Sequence, residues 1–118
     1  MSKVDRSWGC YKVLHTDGPG VKVKELTVDP GKRLSLQHHK LRSEFWFVAY
    51  GEATVYTLNS SSDVEKIGSY RAHESLWITR DQWHQLSNET AEPLRLIEIQ
   101  YGEQCDEEDI VRMDTDGR

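Results

Sequence analysis

The stretch 31–51 constrains this chain most, because it predicts two neighbouring strands that carry candidate metal ligands. Gln37 and His39 are separated by one residue in an alternating run, so on a strand both side chains point to the same face. Glu44 follows a polar, turn-like segment and opens a second run, rich in aromatic residues, that is typical of a strand. This order predicts a carboxylate close to an imidazole on adjacent strands.

Short strand-like runs separated by turn residues fill most of the remaining sequence. They cover residues 7–14, 21–28, 53–58, 64–67, 75–78, 84–87 and 94–100. No segment shows the apolar period of an amphipathic helix of three turns, and pairs such as Asp-Gly and Pro-Gly mark turns between the runs. The pattern predicts an all-β sandwich or barrel. The acidic run 106–109 predicts at most one short C-terminal helix, with a solvated surface segment as the alternative.

Length and charge narrow the classes of protein to which the chain can belong. At 118 residues and 13.7 kDa it has the size of one domain, 1–118. The net charge of -5, without a basic stripe, predicts no nucleic-acid partner. No apolar run approaches the roughly 20 residues that cross a bilayer, and no signal-peptide core follows Met1. Because Cys10 and Cys105 form no closely spaced pair, a reducing cytoplasm is the expected location.

The spacing of the candidate ligands resembles the first motif of the cupin superfamily. That motif runs glycine, five residues, a ligand-x-His pair, four residues, a glutamate, six residues and a glycine, and the matching residues are Gly31, Gln37, His39, Glu44 and Gly51. His84 and Asn88 resemble the second motif, although Thr79-Arg80-Asp81 replaces its usual Pro-x-Gly and His73 stands where glycine is common. The resemblance implies a double-stranded β-helix, or jelly-roll barrel.

A closer resemblance is to the C-terminal cupin domain of type II mannose-6-phosphate isomerases, a domain often fused to a mannose-1-phosphate guanylyltransferase. It covers nearly the whole chain and rests on these segments: Trp8-Gly9-x-Tyr11, Leu34-Ser35-Leu36-Gln37, Arg42-x-Glu44-x-Trp46, Leu94-x-Leu96-Ile97-Glu98-Ile99-Gln100, Glu108-Asp109-Ile110-Val111-Arg112 and Asp116-Gly117-Arg118. The resemblance implies isomerisation of mannose 6-phosphate to fructose 6-phosphate, in polysaccharide or nucleotide-sugar biosynthesis.

The motifs imply one divalent metal ion held by Gln37, His39, Glu44 and His84. Two imidazoles, a carboxylate and an amide oxygen form a mixed set that suits Zn²⁺, Fe²⁺, Mn²⁺ or Co²⁺, and the order of affinities alone does not choose among them. The Gln-x-His pair resembles the zinc site of phosphomannose isomerases, which puts zinc first. A polar barrel interior without metal is the alternative, although a buried glutamate without a cationic partner is costly.

The implied reaction passes through an enediolate, which needs a Lewis acid and a base. The metal, with Glu44 as ligand and charge balance, supplies the first. Candidates for the base are Lys22 and Lys24, which share an inward face of their strand, a metal-bound hydroxide, and His73, an imidazole able to titrate near neutral pH. The residues themselves do not rank these alternatives.

Substrate contacts are expected from cations near the ligands. Arg42 lies between His39 and Glu44 and is expected to bind the phosphate in bidentate fashion, helped by Arg112 or Arg118. Trp46, on the same face as Glu44, is expected to line the cavity.

The sequence leaves two alternative functions open and also predicts an oligomeric state. A non-catalytic sugar- or sugar-phosphate-binding cupin and a metal-dependent cupin oxygenase are the alternatives, because a fold does not determine a function. A small barrel must also protect its edge strands, and the first run, 8–14, carries aromatic residues at a terminus. A homodimer that pairs these N-terminal strands is therefore expected.

Overall fold

Eleven β-strands form the secondary structure of the computed structural model, which describes residues 2–113. They are β1 (Lys3–Arg6), β2 (Gly9–Asp17), β3 (Val21–Val28), β4 (Leu36–His38), β5 (Arg42–Tyr50), β6 (Glu52–Leu58), β7 (Val64–Arg71), β8 (Ser75–Ile78), β9 (Gln85–Ser87), β10 (Leu94–Gly102) and β11 (Val111–Met113). No residue in the described range is helical, which confirms the predicted all-β fold. The acidic run 106–109 forms a turn that leads into β11.

The strands form three antiparallel sheets around one apolar core. The largest sheet has the order β1-β2-β3-β10-β5-β8, a second has the order β7-β6-β9, and β4 pairs with β11. Alternate side chains of each strand point inward, so the sheets enclose a common set of buried apolar residues. These residues are Leu26, Val28, Trp46, Val48, Ala53, Val55, Ile78, Leu86, Leu94 and Leu96.

The pairing of β5 with β10 places polar residues inside the barrel. Glu44 and Trp46 are inward on β5, where buried and partly buried residues alternate. Glu44 lies opposite Gln100 and Trp46 lies opposite Glu98. Because opposite residues of an antiparallel pair share a face, the polar groups of both strands meet at one end of the interior. The candidate site is formed at this end.

The N-terminal strand β1 is an element that the sequence pattern did not predict. It folds back on β2, with Val4 opposite Tyr11 and Asp5 opposite Cys10. It therefore covers the edge of β2 within the same chain, and β1 itself becomes the terminal strand of the large sheet. The homodimer expected from an N-terminal edge stays a prediction.

Gly51 follows β5 with a φ of +90°, a conformation that side chains other than glycine rarely adopt. A Cβ atom there would lie 2.5 Å from the carbonyl oxygen of Pro93 and 3.2 Å from the Cα of Leu94. We expect Gly51→Ala to lower the free energy of unfolding by about 1–3 kcal/mol, the usual range for a strained backbone.

Urea denaturation measures this loss, with Gly68→Ala in β7 as the control. A Cβ atom at Gly68 would come no closer than 3.4 Å to Tyr70, which is ordinary contact. The control is expected to change stability by less than about 1 kcal/mol, as surface substitutions usually do. Equal stability of the two variants would show that the conformation of Gly51 carries no strain for alanine.

Candidate metal centre

Three buried side chains from separate parts of the chain converge at the polar end of the interior. His39 follows β4, Glu44 lies on β5 and His84 precedes β9. A bridge between Gln37 and His84, with N–H···O distances of 3.0 and 2.9 Å, fixes β4 beside the start of β9. One nitrogen or oxygen atom from each of the three side chains lies within 4.8 Å of the other two. Small adjustments of the side chains therefore bring all three around one ion.

Both imidazoles are held in the tautomer that leaves Nε2 available. His39 Nδ1 lies 2.6 Å from the carbonyl oxygen of Asp109, and His84 Nδ1 lies 3.0 Å from that of Gln82. A carbonyl oxygen can only accept, so each Nδ1 carries the hydrogen and each Nε2 carries the lone pair. Histidines that ligate a metal are usually oriented by such a partner. The donor set of this chain therefore fits a divalent metal ion.

Glu44 is oriented by hydrogen bonds to both of its carboxylate oxygens. Trp46 Nε1 donates to Oε1 at 2.8 Å, and Arg42 Nε donates to Oε2 at 2.9 Å. His39 Nε2 lies 3.3 Å from the same Oε2. Trp46 is 2 % exposed, so it packs beneath the cluster and positions Glu44 instead of offering an open ring to a sugar. Arg42 supplies the cationic partner that a buried carboxylate needs.

Burial keeps the two imidazoles neutral. Burial, together with the nearby Arg42 guanidinium, lowers the pKa of His39 to about 4. Burial likewise lowers the pKa of His84 to about 4. Neutral imidazole is the form that binds a metal, so both side chains are in the protonation state for ligation at neutral pH.

Glu98 is a buried acid that the sequence motifs did not single out as a site residue. Burial, together with the nearby Glu44 carboxylate, raises its pKa to about 8, so Glu98 is protonated at neutral pH. Gln100 Nε2 donates to Glu98 Oε1 at 2.8 Å. The signal was present in β10, where Glu98 and Gln100 continue the inward positions of two buried leucines. Polar residues at core positions of a strand indicate a site.

These pKa values predict that the metal-free protein is most stable near pH 6.5. The ordinary histidine pKa is 6.5 and those of folded His39 and His84 are about 4, so between these values the unfolded chain binds more protons and acid destabilises the fold. Glu98 acts in the opposite sense, because its pKa rises from 4.5 to about 8 on folding. The contribution of Glu98 to stability is therefore lost as the pH rises from 4.5 to 8. Below pH 6.5 the stability lost on acidification through His39 and His84 exceeds the stability gained through Glu98.

Urea unfolding of chelator-treated protein at pH 5, 6.5 and 8 tests this profile. Glu98→Gln should remove the loss between pH 6.5 and pH 8, because the amide does not titrate, and should keep the loss on the acid side. An alkaline loss as large in Glu98→Gln as in the wild type would show that Glu98 is not the group responsible.

The segment 105–113 returns over the site and contributes two further carboxylates. The Asp109 carboxylate accepts hydrogen bonds from the backbone N–H groups of Lys40 and Leu41, at 3.1 and 2.8 Å. Glu107 lies 2.7 Å from Lys24 Nζ and 3.1 Å from Lys22 Nζ. Burial opposes ionisation of Glu107, but the two ammonium groups lower its pKa to about 2. The acidic run is therefore not a helix, and although Glu107 and Glu108 are exposed, Glu107 and Asp109 bind groups at the site.

A cavity of about 240 Å³ adjoins the cluster. Among the residues predicted for the site, it is lined by Lys24, Gln37, Arg42 and Arg112. Lys22 lies beside it and reaches the same Glu107 as Lys24. The structure thus brings these predicted residues together, while their roles stay predictions.

His73 is a predicted site residue that the structure places away from the cavity. His73 is exposed on the outside of the barrel, where its ring stacks on Phe47 at 6.0 Å. Phe47 belongs to the outward positions of β5, so the role of base predicted for His73 has no geometric support. Its φ of +77° belongs to a turn between β7 and β8. Arg118 lies outside the described residues.

Comparison with known proteins gives the family. The family described as "Mannose-6-phosphate isomerase C-terminal" matches residues 1–115. The chain belongs to this family. As a member of the mannose-6-phosphate isomerase C-terminal family, it is 40% identical over 117 residues to the xanthan biosynthesis protein XanB of Xanthomonas campestris pv. campestris, covering 98% of this chain and 24% of XanB.

Two further relatives are similar to nearly the whole of this chain over a small part of their own length. A mannose-1-phosphate guanylyltransferase of Salmonella muenchen is 37% identical over 112 residues, covering 95% of this chain and 22% of the relative. The alginate biosynthesis protein AlgA of Pseudomonas aeruginosa is 38% identical over 112 residues with the same coverage. The chain therefore spans less than a quarter of the length of these relatives.

A solved structure confirms the cupin fold. The oxalate decarboxylase of Bacillus subtilis superposes with a TM-score of 0.80 at 12% sequence identity, over 95% of this chain and 30% of the decarboxylase. At that identity the likeness concerns the fold alone. None of the described residues forms a helix that is long and apolar enough to cross a membrane.

The relatives correct the function predicted from the sequence. Although the family carries the name of an isomerase, the curated relatives are named mannose-1-phosphate guanylyltransferases or polysaccharide biosynthesis proteins. The prediction that this chain isomerises mannose 6-phosphate is therefore wrong. What the relatives share is a place among enzymes of mannose phosphate and polysaccharide biosynthesis.

Proposed function

We propose that this chain binds one divalent metal ion through His39, Glu44 and His84, with Gln37 as a fourth ligand, and binds a mannose phosphate in the adjoining cavity. The observation that carries the proposal is the position of the cluster beside a cavity whose wall carries Arg6, Lys24, Arg42 and Arg112. Guanidinium and ammonium groups are the side chains that bind phosphate. The metal, when bound, supplies a Lewis acid for the oxygens of the ligand.

The charge of the cavity also favours an anion. Among the described residues, the acids that line it are Glu98 and Glu107. Glu98 is protonated at neutral pH, and Glu107 is already paired with Lys22 and Lys24. Arg6 and Arg112 are exposed at its edge, where an incoming phosphate meets them first. The cavity therefore presents a net positive wall.

The same cavity offers apolar faces to a sugar ring. Trp8 and Tyr11 line it and are partly buried against the core. Aromatic rings pack on the C–H faces of sugars while hydroxyl groups bond to polar neighbours. Ser35, Gln37 and Gln100 supply such neighbours in the same lining. The cavity thus offers cationic groups to the phosphate of a phosphorylated hexose, and aromatic and polar groups to its sugar ring.

The names of the relatives favour mannose as the sugar. A mannose-1-phosphate guanylyltransferase is among the relatives, and this chain corresponds to less than a quarter of its length. We therefore assign the chain the binding of a mannose phosphate within that chemistry, and not the guanylyl transfer itself. For the metal, zinc comes first from the resemblance of the Gln-x-His pair. Manganese follows, because the oxalate decarboxylase of Bacillus subtilis, which shares this fold, is described as having Mn(II) centres.

The proposed location is the cytoplasm. Cys10 and Cys105 are free thiols in the structure, and Cys105 is buried. Unpaired cysteines are typical of proteins kept in a reducing compartment. Assembly as a homodimer belongs to the same proposal and is tested by light scattering of the purified chain.

Isothermal titration calorimetry tests the proposed function. Mannose 1-phosphate, mannose 6-phosphate and mannose are titrated into metal-loaded and chelator-treated protein. At least one phosphate should bind the loaded protein more than about tenfold more tightly than the stripped protein, a difference of about 1.4 kcal/mol. Mannose should bind more weakly than its phosphates. Equal binding with and without metal, or no binding of either phosphate to the loaded protein, would contradict the proposal.

A further inference from the structure

Arg42 occupies the space where a metal ion would meet its ligands. Its Nη2 lies 2.9 Å from Glu44 Oε2 and 3.2 Å from His39 Nε2. Its Nε also donates to Glu44 Oε2 at 2.9 Å. Since Nδ1 of His39 is committed to the Asp109 carbonyl, Nε2 is the lone pair that the ring can offer. The guanidinium therefore engages the two atoms that an ion would need.

The same guanidinium borders both these atoms and the cavity. Of the described residues, those that line the 240 Å³ cavity include Arg42 but neither His39 nor Glu44. Arg42 is itself only 5 % exposed. Arg42 is therefore the side chain that contacts the two ligand atoms and also lines the cavity.

We propose that Arg42 and the metal ion compete for His39 and Glu44, and that the displaced guanidinium becomes the group that binds the phosphate. This inference rests on the proposed function and adds a coupling to it. The metal and the mannose phosphate then strengthen each other's binding. In the absence of both, Arg42 neutralises the buried Glu44 and stabilises the fold.

Electrostatics requires the exchange. An imidazole lone pair serves one acceptor role at a time, so His39 Nε2 cannot hold the guanidinium and an ion together. A guanidinium about 4 Å from a divalent cation is also strongly repelled in a buried site. When the ion binds, the guanidinium has to leave Glu44 and needs a new anionic partner.

The structure offers the displaced guanidinium a nearby destination. Arg42 Nη1 donates to the carbonyl oxygen of Asp106 at 3.1 Å, on the segment that closes the site. A rotation that keeps this contact leaves the side chain on the cavity wall that it already lines. There its planar fork matches the geometry of a phosphate. A phosphate bound there thus neutralises the Arg42 guanidinium that the metal has displaced from Glu44.

The coupling is thermodynamic and therefore reciprocal. If the metal raises the affinity for mannose phosphate by some factor, mannose phosphate raises the affinity for the metal by the same factor. Removing Arg42 removes the competitor, so the metal alone should bind more tightly. It also removes the group that carries the coupling, so the mutual strengthening should shrink.

Competition with a chromophoric chelator measures the Zn²⁺ affinity of the wild type, Arg42→Met and Lys24→Met, each with and without mannose 1-phosphate. Lys24→Met is the matched control, because it removes one cation from the same cavity wall without contacting His39 or Glu44. We expect Arg42→Met to tighten Zn²⁺ binding at least about tenfold without the sugar phosphate, and Lys24→Met to do so less than about threefold, since only the first vacates the ligand atoms.

Mannose 1-phosphate should tighten Zn²⁺ binding to the wild type at least about fivefold, the lower end of usual couplings, and should tighten binding to Arg42→Met less than about twofold. Arg42→Gln, which keeps a neutral donor for Glu44, replaces Arg42→Met should the methionine variant not fold. Circular dichroism reports folding independently of the metal.

Any of three outcomes overturns the inference: Arg42→Met binds Zn²⁺ no more tightly than the wild type, Lys24→Met tightens the binding equally, or the coupling persists in full without Arg42. A wild type that binds Zn²⁺ and mannose 1-phosphate but shows any of these results retains the proposed function and loses only the exchange. If neither the wild type nor the Arg42 variants bind Zn²⁺, the proposed function fails with it.

Discussion

Replacing His84 by alanine should lower the affinity for Zn²⁺ by more than about 100-fold, beyond the ~10–100-fold lost when a group that only orients a ligand is removed. His84 is 4 % exposed, and its Nδ1 is fixed by the Gln82 carbonyl, so no water or neighbouring imidazole can readily replace its Nε2. His39→Ala should have an effect of the same size. Elemental analysis of purified protein and a chelator competition measure both losses.

His38→Ala is the control for these two variants. It removes an imidazole next to His39 in sequence, but the His38 ring faces Asp81, at 3.6 Å, and Trp83. It should leave the metal content unchanged. Full metal occupancy in His84→Ala and His39→Ala, with both variants folded, would show that the ion lies elsewhere or that other groups suffice.

Replacing Asn88 by alanine should lower the free energy of unfolding by about 3–5 kcal/mol, a large part of the ~5–15 kcal/mol that stabilises a typical domain. Asn88 is fully buried and satisfies four groups. Its Nδ2 donates to the carbonyls of Val28 and Glu92 at 3.0 and 2.7 Å, and its Oδ1 accepts from the N–H and the hydroxyl of Thr90. Alanine removes all four bonds: the Val28 carbonyl loses this partner in the buried interior, while the Thr90 hydroxyl keeps its bond to the Glu92 carbonyl at 3.1 Å.

Urea denaturation monitored by circular dichroism measures the loss. Asn59→Ala is the matched control, because Asn59 also accepts two backbone N–H bonds, from Ser61 and Asp63, but at an exposed hairpin tip. Water replaces those bonds, so the control should cost about 1 kcal/mol or less. Similar losses in the two variants would contradict the structural role of Asn88.

The fold was predictable because local patterns determined it. Period-two alternation and turn residues predict strands without reference to partners, and the spacing from Gly31 to Gly51 carried the cupin resemblance. β1 was missed because four residues with no regular alternation form a strand only through their pairing with β2. Pairing between strands is a tertiary property that a local pattern does not contain.

The same distinction explains what was found and missed at the site. Gln37, His39 and Glu44 are close in sequence, so their meeting follows from two strands and a turn. Glu98 joins them only through the register of β10 against β5. Asp109 reaches His39 across 70 residues, by a backbone carbonyl that no sequence pattern reports.

The predictions for the acidic run 106–109 and for His73 missed their contacts for a related reason. A run of carboxylates predicts either a helix start or a solvated surface from charge alone. Here Glu107 finds Lys22 and Lys24 because β3 presents both to the returning segment. His73 was considered because of its residue type and its place beside a motif, whereas the turn after β7 directs it outward.

The resemblance identified the family of this chain correctly but not its activity. The family was recognised from motifs along the chain, and the family match confirms it. The activity was inferred from the resemblance to isomerases and from the ligand set, and the named relatives correct it. A shared fold and ligand set allow several reactions, so the chemistry has to be argued from the cavity and tested there.

Anomalous X-ray scattering at the absorption edge of the bound metal, from crystals grown with Zn²⁺ and mannose 1-phosphate, tests the central claim most directly. The account predicts one anomalous peak within about 2.0–2.2 Å of His39 Nε2, His84 Nε2 and a Glu44 oxygen. It also predicts that the sugar phosphate lies in the adjoining cavity, with its phosphate bonded to the displaced Arg42. A metal-free cluster with Arg42 still on Glu44, or a metal and a sugar phosphate bound at a separate surface, would contradict it.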